Sequence, residues 1–192
     1  MDTTAASSTA AAARRRTSLL ITGATGLALL VVSVIFAANT SWYLVFKMIH
    51  VGAAVVWVGG GTFLIIAAVM AELADNEAHL LEVGRLADQI ASKVFPIMSF
   101  VVLIFGIAMT MNGDIPYDQF WIVFGLIAWA ASAATGIFFI SPQAKTLTRL
   151  MQERGAHDPA VQDRLRRILL VSRVDVSLMF LIVFDMVAKP FL

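Results

Sequence analysis

The sequence predicts an all-α fold, a polytopic transmembrane helical bundle of five spans in which a four-helix core is preceded by an N-terminal span. Three observations carry this. The hydrophobic fraction is 59% and the mean hydropathy +0.84, against roughly 45–50% apolar residues in soluble domains. Only 14% of the 192 residues are charged, where soluble chains hold about 25%, too few to cover a water-facing surface. Finally, uncharged or nearly uncharged runs of about twenty residues recur, and at about 1.5 Å per residue each spans the roughly 30 Å hydrocarbon core. No water is available there, so each run must satisfy its own backbone as a helix.

Taken in order, Met1 to Ala13 are mostly Ala, Ser and Thr. With Arg14, Arg15 and Arg16 they read as a disordered cytoplasmic tail, 1–16, and 17–192 as one transmembrane domain. The first span is Thr17 to Ala38. A secretory signal is the competing reading, but the run exceeds the usual 7–15-residue apolar region of a signal, and Ile35 and Phe36 stand where a small residue is wanted. A retained helix is therefore expected. The second span is set at Trp42 to Ala71, the third at Val94 to Met111, the fourth at Phe120 to Ile140 and the fifth at Ile168 to Ala188.

The connectors are of two kinds. Asn39-Thr40-Ser41 and 112–116 are short and hold no Lys or Arg. The longer ones, 72–93 and 141–167, are charged and contain helical patterning at Leu80, Leu86, Ile90 and Val94, with Asp75 as an expected N-cap. Ser141-Pro142 and Asp158-Pro159 each read as a cap followed by proline at the first helical position, and Gly155 as the helix end between them. Lys and Arg number three in the tail, two in 72–93 and six in 141–167, whereas the opposite side has only Lys47 and Lys189 near span ends. The positive-inside rule then places the N-terminus and both long connectors in the cytoplasm and Leu192 outside.

Composition also excludes. Cysteine is absent, which removes disulfides, thiolate metal sites and cysteine nucleophiles. No basic patch is interleaved with aromatics, so nucleic acid is not a partner. The partners expected are the lipid bilayer and other membrane helices or further copies of the chain, for which the small-residue run Ala128 to Gly136 is the supporting feature. Trp42, Tyr43, Tyr117 and Trp121 are placed at the outer interface as an aromatic belt.

Ionisable groups inside spans cost roughly 2.5–3.5 kcal/mol each at the bilayer centre on insertion scales, so each needs a reason. The spans contain Lys47, His50, Arg173, Asp175, Asp185 and Lys189. Lys47, Lys189 and Arg173 have long stems and can snorkel to an interface. Asp175 and Asp185 cannot reach so far. Asp175, Asp185 and Lys189 lie within about 80° on one helix and form a stripe expected to face protein or water. Asp185 and Lys189 can also simply pair along the helix. Lys47, His50, Trp57 and Gly61 share one face of the second span, polar at the outer end and bare at Gly59–Gly61. His50 either hydrogen-bonds between helices, with Asp185 the expected partner at the same level, or ligates a metal.

At these residues a resemblance enters. His50, Trp57 and Gly60 in the pattern H-x6-W-x-x-G resemble the signature of HemJ-type protoporphyrinogen oxidases and of copper-resistance D membrane proteins. The closing stretch Arg173-Val-Asp175 through Lys189-Pro190-Phe191 is similar to the last HemJ-type helix, and the nearest relatives are expected among uncharacterised bacterial four-span membrane proteins of this superfamily. The resemblance implies a bacterial inner membrane, haem b held by His50 beside Trp57 and Gly60, and a redox role linked to haem or quinone. One departure bounds it: the fourth span has neither His nor Lys, so porphyrinogen oxidation and a second axial ligand do not carry over. Beside the redox-linked haem site, two readings stay open. One is a small proton- or cation-coupled transporter using Asp175, Asp185 and His50; the other is a non-catalytic accessory subunit of a larger complex. No residue is assigned a catalytic role.

Overall fold

A computed structural model describes residues 3–74 and 77–191. The expected N-cap Asp75 and the outward-facing Leu192 lie outside the described residues. The fold is all-α: α1 (Thr3–Ala38), α2 (Trp42–Leu73), α3 (Glu77–Gln89), α4 (Phe95–Asn112), α5 (Phe120–Ala134), α6 (Ser141–Arg154) and α7 (Pro159–Ala188). Four stretches are long and apolar enough to cross a bilayer, namely Arg15–Ala38, Trp42–Leu73, Leu81–Asn112 and Phe120–Arg154. The chain is thus a multi-pass membrane protein, and α7 does not belong to that apolar set.

The chain divides into two units, Met1–Val45 and Phe46–Leu192. In the first, helical backbone begins at Thr3 and takes in the Ala-rich segment that composition assigns to a tail. Alanine has the highest intrinsic helix propensity, which accounts for the continuation. From Arg15 onward its side chains are nearly all exposed, as expected of a surface made for lipid.

In the second unit two helices run further than the sequence suggested. α3 passes into α4 through a π-helical segment, Ile90–Val94, and α5 into α6 through another, Thr135–Ile140. Ser141 is therefore not an N-cap: its φ and ψ are helical and no side-chain cap bond forms. Each π segment ends two residues before a proline, Pro96 or Pro142. Proline lacks the N–H that an interior helical turn requires, and a widened turn absorbs the mismatch without breaking the helix. The two π segments pack together, with Ser92 and Ser141 hydroxyls 3.3 Å apart.

The other end signals hold. Gly155 closes α6 at φ 84°, and Asp158 caps α7, its carboxylate accepting the Ala160 N–H at 2.8 Å. This tight turn sends α7 back along α6 and then α5. At the far end Phe191 meets Phe120 edge-on, ring centroids 5.1 Å apart, so α7 accompanies α5 over its whole length. A hydrophobic core gathers where α2 ends, with Ala71, Val83, Leu147, Val161, Leu165 and Leu169 among its buried members. Beyond it large apolar side chains such as Val55, Phe63, Ile104, Val174 and Phe184 face outward, the distribution a lipid-facing bundle needs.

Candidate functional site

α7 is the helix that composition least marks as a span, and it holds the two buried carboxylates. Asp175 is 6% and Asp185 3% exposed. Both look toward α5, as the expected polar stripe requires, and among the described residues Oδ1 of Asp175 and Oδ2 of Asp185 complete no hydrogen bond of full geometry. Ten residues separate them, about 15 Å along the axis.

Their surroundings differ. Asp185 sits against Gly125 of α5, where a side chain would bring Asp185 Oδ2 to 3.9 Å and would collide with the Met186 methyl. Glycine is thus what lets the two helices close over this carboxylate. Asp175 instead lines a cavity of about 140 Å³ between the helices, together with Trp57, Phe95, Ser99, Ser132 and Met179. The Ser132 hydroxyl lies beside the Asp175 carboxylate. It is 1% exposed and is the hydrogen-bonding group nearest the carboxylate, the contact falling short of full hydrogen-bond geometry. Ser99 is satisfied, its oxygens accepting from Trp129 Nε1 at 3.0 Å. Small residues open the space: Ala91, Ala133 and Gly136 line it, and a Cβ at Gly136 would meet nothing within 4 Å.

The second span contributes differently from expectation. His50 turns to α4, its Nδ1 2.7 Å from the Val102 carbonyl and its ring against Gly106. A carbonyl only accepts, so Nδ1 carries the proton and Nε2 keeps its lone pair. No hydrogen bond joins His50 to Asp185. Lys47 is exposed and makes no ion pair, consistent with snorkelling. Trp57 is buried in the cavity wall. The glycine face beside it is covered at two of its three positions: a Cβ on Gly60 would stand 2.9 Å from the Phe95 ring and one on Gly61 3.3 Å from Val176, whereas one on Gly59 would meet nothing within 4 Å. His50 by itself has the donor arrangement of a ligating imidazole, Nδ1–H held by a carbonyl. Among the described residues no group of three or more His, Cys, Asp or Glu comes together as a metal site.

Lys189 does not pair with Asp185 through its side chain. Its backbone N–H closes α7 on the Asp185 carbonyl at 2.8 Å, and its ammonium lies 4.8 Å over the Trp121 ring. Trp121 is accordingly buried and not part of an interfacial belt, whereas Trp42 and Tyr117 are exposed. Arg173 is exposed. The run Ala128 to Gly136 read from sequence as a packing surface, which hid the part of Ser132 and Gly136 in the cavity. The available signal was Ser132 itself, a hydroxyl in a largely apolar span.

Residues 44–190 match the family described as predicted integral membrane proteins, DUF2269. The chain belongs to that family. No curated protein and no solved structure matches it. The stretch matched to DUF2269 takes in every wall of the cavity and both buried carboxylates, and it leaves out α1.

Proposed function

We propose that this DUF2269 protein binds a small amphiphilic molecule inside the bilayer, as a carrier of such molecules, with Asp175 as the polar anchor of its cavity. The observation that carries this is the buried Asp175 carboxylate, faced by no cation among the described residues, on the wall of a largely apolar cavity of about 140 Å³. An apolar cavity of about 150 Å³ accepts a benzene ring. An unpartnered buried carboxylate is costly to keep unless it is used. The reading includes α7 as a fifth span: it runs back along α6 and then α5, and its polar residues, which remove it from the apolar set, are what a site needs. It further sets the protein in a bacterial inner membrane, which the resemblance implies, with the start of α1 and the long charged connectors cytoplasmic and the C-terminus outside, on the Lys and Arg asymmetry.

The test is ligand-induced stabilisation of purified protein by a neutral single-ring compound such as toluene. Wild type is expected to melt at a higher temperature with the ring present. Gly136→Leu, which fills open space in the cavity wall, is expected to remove the shift while leaving the unliganded protein folded. An unaltered shift in that variant would place the ring elsewhere and defeat the reading.

A second reading retains haem b and a redox link, favoured by the Nδ1–H bond of His50 to Val102, which leaves Nε2 available to iron, and by the resemblance of His50, Trp57 and Gly60 to the HemJ-type signature. Protein from haem-replete membranes would then show a Soret band that His50→Ala abolishes and His79→Ala preserves. Absence of the band ends this reading.

A further inference from the structure

The walls of the cavity restrict what it can hold. Among the described residues lining it, Asp175 is the one ionisable side chain. No Lys, Arg or His faces the space, so a phosphate, sulfate or carboxylate would meet a carboxylate and no compensating cation. A bare metal ion is equally ill served. Hard cations such as Ca²⁺ take about six to eight oxygen ligands, and the polar groups here are one carboxylate and a few serine hydroxyls, with no cluster of acids or histidines. A neutral guest leaves an ionised Asp175 uncompensated in a low-dielectric setting, where an isolated charge is most expensive.

One ligand class meets every condition, and we propose that the cavity is built for an organic ammonium carrying a single small ring, with Asp175 as its counter-ion. This rests on the cavity being a binding site. The –NH₃⁺ group supplies donors to Asp175 Oδ1 and to a lone pair of Ser132 Oγ, leaving the hydroxyl hydrogen to the carboxylate, and its bonds to the carboxylate are charge-assisted. The buried Trp57 and the Phe95 ring in the same wall add aromatic faces suited to a cation and to the ring of the guest. The volume of about 140 Å³ admits one small ring. The complex is neutral overall, which is the form of a buried charge that a bilayer interior tolerates.

The experiment compares benzylammonium, benzyl alcohol, toluene and phenylacetate. Each is titrated calorimetrically into the full chain in nanodiscs, with heats in empty nanodiscs subtracted. Wild type is expected to bind benzylammonium at least tenfold more tightly than benzyl alcohol and not to bind phenylacetate. Asp175→Asn, checked for folding by its melting curve, is expected to keep toluene binding and lose the preference for the ammonium. Equal affinity for the ammonium and the alcohol in wild type, with toluene still bound, would overturn the charge assignment and leave the binding site standing. Binding of phenylacetate would overturn it as well, as would an ammonium preference that survives Asp175→Asn. Failure of every ring compound to bind would overturn the site and the inference together.

Discussion

Asp175 and Asp185 lie on one helix, face one partner helix and are buried to nearly the same degree, yet they stand in opposite situations. Around Asp185 the wall is closed: Gly125 gives up its side chain so that α7 and Met186 can seat against α5. Around Asp175 the wall is open, because Ala133, Gly136 and Ala91 leave a space that no described side chain of the second unit fills. Burial of a carboxylate without a cation therefore does not by itself mark a site. Room beside it does, together with a second polar group facing the same space, here the Ser132 hydroxyl.

The contrast can be broken or sharpened by mutation. The larger effect is expected at the sealed position. Asp185→Asn removes a buried charge that no described residue compensates, and it should stabilise the protein by about 1 kcal/mol or more, because an unsatisfied buried group costs more charged than neutral. Chemical denaturation in detergent measures this. A loss of stability would mean that the carboxylate has a partner and that the closed wall is wrongly drawn. The smaller effect belongs to the glycine opposite. Gly125→Ala introduces a methyl group into the space of the Met186 terminus, and because that terminus is flexible the cost should be about 1 kcal/mol, the low end for overpacking. Met186→Ala in the same chain should restore stability. No recovery would show that α7 and α5 are not held apart at this point.

Much of this arrangement was legible in the chain. Asp175 and Asp185 fall on one stripe and cannot snorkel, which was enough to expect them to face protein. Asp158-Pro159 and Gly155 gave the turn into α7, because cap chemistry is local. The continuity of α5 and α6 was not legible. Ser141-Pro142 has the composition of a helix start, and only the π segment before it lets Pro142 sit inside a continuing helix. The partner of His50 was also hidden. Depth alone put it level with Asp185, but helix rotation decides which neighbour a side chain meets, and His50 turns to the Val102 carbonyl. The cavity was the hardest feature to foresee, since a run of small residues reads equally as close helix contact or as space.

The central claim, that room beside the carboxylate makes Asp175 the site, is tested most directly by the melting-temperature shift that benzylammonium produces in three proteins. At one fixed ligand concentration wild type and Asp185→Asn are expected to show the same upward shift, and Asp175→Asn only the smaller shift that benzyl alcohol also gives, although all three begin folded. A shift that stays at the wild-type size in Asp175→Asn, or that shrinks in Asp185→Asn, would contradict the account.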